Sequence, residues 1–199
     1  LVGLSDSVTQ AVARSALTLI YPGPDEFADR MPTAPLADEN ILIITDARTT
    51  QECAGCPSTP LLAPTALQDI ILRLYGPAST GQVRAENIRS LTFTDLNRLL
   101  NESAYQVKSI EDAIAWANWI VFAHLDYNPD EYPDSAALRN FLAKRSDSLR
   151  DKRLIAMSFS APYYLDTTEI SKLTAYFGIY GKSLPFLETA VRALFRECS

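Results

Sequence analysis

The chain has 199 residues, of which 47% are hydrophobic and 21% charged, and it carries a net charge of −6. This balance is that of a globular domain with a full core and excludes a disordered chain. The negative charge argues against nucleic-acid and anionic-membrane partners, which select basic surfaces, and no apolar run approaches the ~20 residues of a bilayer span.

The chain opens Leu1-Val2-Gly3, without Met or a charged-then-apolar leader, as a piece of a longer protein or a processed chain would. Ser7-x-x-Gln10 reads as a capping box opening a helix through Val8 and Val12. The run turns extended near Thr18 and stops at Pro22-Gly23-Pro24. Proline-rich, acidic residues 22–39 read as an irregular connection, so residues 1–40 are expected to be a helix and linker leading into a single domain at 41–199.

Ile41 to Thr45 is a continuous β-branched and apolar run, which predicts a strand buried on both faces. A long loop follows over 46–64. Thr65-x-x-Gln68 reads as a second capping box, opening a helix with Leu67, Ile70, Ile71 and Leu74 inward and Gly76-Pro77 as its stop. Ser90 to Thr94 predicts a short strand, Leu96 to Leu100 a helical turn, and Ile110 to Trp116 a helix. Trp119 to Ala123 is another buried strand. Asp134 is placed to cap a helix with Leu138, Phe141 and Leu142 inward. Leu154 to Phe159 and Leu173 to Phe177 read as strands. Ser183 is placed to cap a last helix, with Pro185 in its first turn and an inward stripe of Leu184, Leu187, Val191, Leu194 and Phe195.

Strands and helices alternate, and the clearest strands are uniformly apolar. The expected fold is therefore α/β: a three-layer sandwich with a mostly parallel sheet, helices on both faces and flavodoxin-like topology. Right-handed crossovers put the working edge at the carboxyl ends of the strands.

The candidate site residues are those strand ends. Asp46 and Arg48 follow the Ile41 strand and can contact hydroxyls or pair with each other. His124, the only histidine, ends a strand two residues before Asp126; it can act as an acid/base group or be a hydrogen-bonded strand-end residue. Asp126, Asp130, Glu131 and Asp134 form an acidic cluster, which reads as carboxylate chemistry or as a solvated loop, without the Gly and terminal Glu of a calcium loop. Tyr163 follows Ser158, Ser160 and Pro162, and can stack on a sugar ring or pack with its hydroxyl in water.

Cys53-Ala-Gly-Cys56 has redox-dithiol spacing, but Pro57, Pro60 and Pro64 follow in place of the helix that would activate a thiolate. A loop disulfide is the alternative. Zinc would need two more ligands, with only Cys198 and His124 left to supply them. Three cysteines make no disulfide framework and leave the compartment open. Asn101-Glu102-Ser103 matches a glycosylation sequon, meaningful only in a secretory-pathway eukaryote. There is no phosphate-cradling Gly motif and no Gly-x-Ser-x-Gly, so neither a cofactor nor a metal is called for.

Leu154-Ile-Ala-Met-Ser-Phe-Ser-Ala-Pro-Tyr163, then Ala175-Tyr-Phe-Gly178, then Ala193-Leu-Phe-Arg-Glu197 stand in an order that resembles the second, α/β domain of glycoside hydrolase family 3, in its bacterial β-N-acetylhexosaminidase branch. Ala11 to Ile20 is similar to the segment where that family's chain leaves its barrel, and Leu61 to Gly76 looks like the helix after the first sheet strand. The family usually has Gly where Arg196 stands. The resemblance implies a retaining glycosidase as the parent protein, with the nucleophile Asp and an acid/base His on a (β/α)8 barrel preceding this chain. Neither motif occurs here, and the acid Glu of the β-glucosidase branch matches no residue, so no catalytic residue is carried over.

The expected function is that of an accessory C-terminal domain. It would pack on an N-terminal barrel of the same protein and line one side of a glycan cleft. An exposed docking face would also let two isolated copies pair. The alternatives are a free-standing small-ligand or carbohydrate-binding α/β module and a thiol redox protein built on Cys53 and Cys56.

Overall fold

The computed structural model describes residues 2–31, 33–51, 53–102, 107–145 and 149–197. In chain order it runs α1 (Val2–Ala16), β1 (Thr18–Tyr21), α2 (Pro24–Arg30), β2 (Ile41–Thr45), β3 (Thr49–Thr50), β4 (Thr59–Pro60), α3 (Ala66–Tyr75), β5 (Ile88–Thr92), α4 (Phe93–Asn101), α5 (Lys108–Trp116), β6 (Trp119–His124), α6 (Ala137–Arg145), β7 (Arg153–Ser158), α7 (Thr167–Ile170), β8 (Ala175–Gly178) and α8 (Leu184–Leu194). Ser103 of the sequon and Cys198 lie outside the described residues.

Six strands form one sheet in the order β1-β8-β7-β6-β2-β5. From β5 to β8 every pair is parallel. Counted along the chain, these five strands have the 2-1-3-4-5 order of the flavodoxin-like doubly wound sheet. β1 pairs antiparallel with β8, so a strand from the segment read as helix and linker closes the sheet's edge.

The apolar runs explain the layering. Ile41 and Ile43 face one core, built with α3 and α8 through Leu67, Ile71, Val191 and Leu194. Leu42 and Ile44 face a second core, built with α4, α5 and α6 through Phe93, Ile114 and Phe141. Alternate residues of one strand thus enter opposite cores, so every position of β2, β6 and β8 is buried. α1 packs on α8.

Several helix ends differ from the sequence expectation. α1 begins at Val2, so Ser7 lies inside the helix and does not open it. Thr65 occupies the N-cap of α3, yet its hydroxyl donates to Asp69 Oδ2 at 2.9 Å, while Gln68 Oε1 accepts from Ser90 Oγ at 2.7 Å. The capping boxes that form are Thr92 with Asp95 and Asp166 with Glu169. Ser183 is the N-cap of α8 without a side-chain bond. Leu184 is 52% exposed and leaves the inward stripe. Asp134 sits in a 3-10 turn (Pro133–Ala136) ahead of α6 rather than at its cap.

α8 closes with Arg196 in the left-handed region, at φ 55°. Arg196 N donates to Ala193 O at 3.1 Å and Glu197 N to Arg192 O at 3.0 Å, the paired bonds of a Schellman motif, whose left-handed position favours Gly. The Arg side chain makes its own contacts: Nη1 donates to Met31 O at 2.6 Å, and the guanidinium lies 5.4 Å from the Phe27 ring centre. At Gly178 a Cβ would come within 2.8 Å of the Tyr180 ring, so a larger residue there would make that ring shift.

Candidate functional site

In a doubly wound sheet the ligand crevice opens where successive connections leave for opposite faces. Here that point lies between β2, whose connection leads to α3, and β6, whose connection leads to α6. Asp46 N continues the ladder by donating to Ala123 O at 2.8 Å. The two loops that leave this point carry Asp46, Arg48 and Asp126, three of the five candidate residues.

Arg48 joins the loops. Its Nε donates to Asp46 Oδ1 and Oδ2 at 3.0 and 3.1 Å, and Nη2 also reaches Asp46 Oδ2. Nη1 donates to Asp126 Oδ1 at 3.2 Å and Nη2 to Asp126 O at 2.7 Å. The guanidinium lies over Tyr132, 4.7 Å from the ring centre. Burial opposes the Arg48 charge, but Asp46 and Asp126 outweigh it and raise its pKa. The side chains of Arg48 and Asp46 are only 5% and 2% exposed, whereas Asp126 is 60% exposed. Most of the guanidinium's five N–H groups are consumed internally. Arg48 is therefore a clamp between loops, not a free cation awaiting an anionic ligand.

Beside the clamp is a cavity of about 210 Å³ lined by Arg48, Thr49, Thr94, Glu131, Tyr132 and Asp134, among others. Asp134 accepts from Thr94 Oγ1 at 2.6 Å and from Asn97 Nδ2 at 2.8 Å, tying the loop before α6 to α4. Glu131 Oε2 accepts from Asn128 Nδ2 at 3.0 Å. A hydrogen bond to Glu131 raises the Tyr132 pKa. The cavity thus combines acceptor oxygens, a hydroxyl and an aromatic edge, and its acidic lining suits a neutral hydroxyl-bearing ligand better than an anion.

His124 lies beneath this surface, with no exposed area. Its Nδ1 is 2.7 Å from Leu125 O. A carbonyl only accepts, so Nδ1 carries the proton and Nε2 is bare. Nε2 is buried without a hydrogen-bond partner among the described residues. The ring sits 4.4 Å from Tyr164 and 5.6 Å from Tyr176, centre to centre. Burial lowers its pKa to about 4; the hydrogen bond to Leu125 opposes the shift and Arg48 adds to it. Tyr163 lies on the loop after β7 and is 91% exposed; it is not part of the cavity wall. Its neighbour Pro162 anchors the loop by accepting from Tyr176 Oη at 3.2 Å.

Cys53 and Cys56 form a disulfide at the tip of the β3–β4 hairpin, with Gly55 at φ 92°. No helix starts there, so nothing positions a helix dipole on either sulfur. Among the described residues no group of three His, Cys, Asp or Glu side chains is placed to hold a metal ion.

Asp46, Arg48 and Asp126, expected at strand ends, lie on the two loops at this edge, beside Thr94, Tyr132 and the Asp134–Asn97 tie, which the strand-end pattern does not point to. Thr92-x-x-Asp95 is a readable helix start that would have placed Thr94 at the same edge. Tyr132 has no such signal.

No protein-family model and no curated protein sequence matches the chain. Solved structures do. One is a fungal multi-domain GH3 β-N-acetylglucosaminidase, with a TM-score of 0.59 at 16% identity over 97% of this chain and 18% of that one. Another is a glycoside hydrolase family 3 β-N-acetylglucosaminidase from a Paenibacillus species, with a TM-score of 0.53 at 14% identity over 95% of this chain and 30% of that one. A third is a β-glucosidase from Listeria innocua bound to isofagomine, with a TM-score of 0.54 at 13% identity over 94% of this chain and 24% of that one. The likeness is one of fold. The chain spans less than a third of the length of each of these neighbours.

Proposed function

We propose that this chain is an accessory α/β domain of a family 3-type glycoside hydrolase of the β-N-acetylhexosaminidase kind, packing on a catalytic barrel and walling one side of the sugar cleft. The observation that carries this reading is the coverage: nearly the whole chain matches a small part of each of two family 3 β-N-acetylglucosaminidases and of a β-glucosidase. The switch-point cavity supports it, because hydroxyl-bearing ligands suit its acceptors and Tyr132.

Catalysis is assigned to the partner domain. Retaining glycosidases need two carboxyl groups, one of them a nucleophile and the other an acid/base. The cavity carboxylates Asp46, Glu131 and Asp134 are each held by donors of this chain. His124 has no exposed atom with which to take the acid/base role.

On this reading Val8 and Val12, 63% and 52% exposed on α1, belong to the face that meets the barrel, and in its absence two copies would pair there. The test is hydrolysis of a chromogenic N-acetylglucosaminide by the purified chain. No turnover is expected; turnover that follows the protein through purification would contradict the assignment. A second reading, a free-standing sugar-binding module, rests on the same cavity and differs in needing no barrel.

A further inference from the structure

Among the described residues the exposed tyrosines are Tyr127, Tyr163 and Tyr180. They follow β6, β7 and β8 in turn. These strands are neighbours in the sheet and run parallel, so the three loops leave from one carboxyl edge. Leu184, exposed at the start of α8, follows Tyr180 there. Four of the seven large hydrophobic side chains that the described residues expose thus stand on this stretch of edge. Exposed apolar groups gathered in this way mark a contact surface.

The tyrosines are held in place. Tyr163 is 91% exposed, yet the backbone is pinned on both sides of it: Tyr176 Oη donates to Pro162 O at 3.2 Å, and Tyr164 Oη donates to Ser135 O. Tyr180 has a left-handed backbone, at φ 64°, a conformation that disfavours any residue but Gly. The outer end of its ring lies over Gly178, so one side is backed by the strand end while the residue stays 44% exposed. Tyr127 meets Tyr164 edge-on at 5.9 Å and carries the Arg139 guanidinium 4.9 Å from its ring centre. Beneath them the buried rings of Tyr164, His124 and Tyr176 form an aromatic base. His124 thereby supports this surface by packing.

We propose, resting on the sugar-handling reading above, that Tyr163 and Tyr180 stack on consecutive sugar units of a neutral β-linked oligosaccharide, with Tyr127 and Leu184 at its flanks. A β-linked pyranose with equatorial substituents has flat C–H faces and a rim of hydroxyls. The ring faces serve the former and the tyrosine hydroxyls the latter. Rings fixed beforehand lose little side-chain freedom on binding. By their exposed fractions the four side chains present roughly 500–600 Å². That is below the ~800 Å² each partner of a stable protein interface buries, and it suits a few sugar units. The surface is separate from the switch-point cavity, whose wall does not include Tyr163 or Tyr180.

The test is calorimetric titration of the full chain with the β-linked tetramer of N-acetylglucosamine, the β-linked tetramer of glucose and the α-linked tetramer of glucose. Saturable binding of at least one β-linked tetramer is expected, with the α-linked one at least tenfold weaker. Tyr163→Ala, on an exposed side chain, should weaken binding about tenfold. Tyr180→Gly should do the same while relieving the backbone, so its loss of binding would not reflect unfolding. Leu36→Ala, exposed in the segment before β2, should leave binding unchanged. No saturable binding of either β-linked tetramer would overturn the proposal. So would wild-type affinity in both tyrosine variants, which would put the sugar elsewhere, or self-association that both variants abolish, which would give the surface to a second copy. None of these results bears on whether a catalytic barrel accompanies the chain, which is the test of the accessory-domain reading.

Discussion

Arg48 binds Asp126 twice, through Nη1 to the carboxylate at 3.2 Å and through Nη2 to the backbone carbonyl at 2.7 Å, across 78 residues of chain. This contact fixes the loop after β2 against the loop after β6, at the point where the sheet's connections diverge. Removing the guanidinium leaves the Asp46 carboxylate, 2% exposed, without its cation. Arg48→Ala should therefore cost roughly 3–5 kcal/mol, measured by urea denaturation, the expected loss for breaking a buried pair. The Asp46→Ala/Arg48→Ala double variant should lose less than the sum of the two single changes.

His124 makes stability depend on pH. Its folded pKa is about 4, below the ordinary 6.5, so between these values the unfolded chain binds more protons than the folded one. Stability is then full above pH 6.5, falls as pH drops towards 4, and has no further His124 dependence below that. The total change is roughly 3 kcal/mol. His124→Phe should flatten this part of the stability profile, whatever its effect on absolute stability. An unchanged slope between pH 4 and 6.5 would mean that His124 is not the group responsible.

At the end of α8, Arg196 holds a left-handed backbone and two side-chain contacts together. Arg196→Ala keeps the backbone strain and loses the contacts, while Arg196→Gly loses the contacts but relieves the strain. The Ala variant should be less stable than the Gly variant by about 1 kcal/mol in thermal or urea unfolding.

The Cys53–Cys56 bridge closes a very short loop in a hairpin outside both cores. By loop-closure entropy its contribution is at most about 2 kcal/mol. Cys53→Ser/Cys56→Ser should leave the sheet's amide protection intact and speed exchange at Leu61 N, which donates to Arg48 O at 2.9 Å. Loss of protection in β2 or β6 would show that the hairpin carries more of the fold than its packing indicates.

What the sequence made legible follows from burial. β2 and β6 send alternate residues into two cores, so Ile41–Thr45 and Trp119–His124 are apolar without interruption. β1 is an edge strand of mixed exposure, reading only as a helix that turns extended at Thr18. Helix starts misled for a different reason. A Ser/Thr with Gln three residues on describes Ser7 and Thr65, but α1 begins earlier and Gln68 is drawn away to Ser90. The acidic versions, Thr92 with Asp95 and Asp166 with Glu169, form because a carboxylate is the stronger acceptor for the cap N–H. The site was legible as far as strand ends are. Asp46, Arg48 and Asp126 follow apolar runs, whereas Tyr132 reaches Arg48 from a loop whose path only the fold defines.

The accessory-domain reading is tested most directly by sequencing the gene upstream of the Leu1 codon. The account predicts a (β/α)8 barrel encoded in the same reading frame, bearing the glycosidase nucleophile. A start codon followed only by a short leader before Leu1 would contradict it and leave the free-standing sugar-binding module.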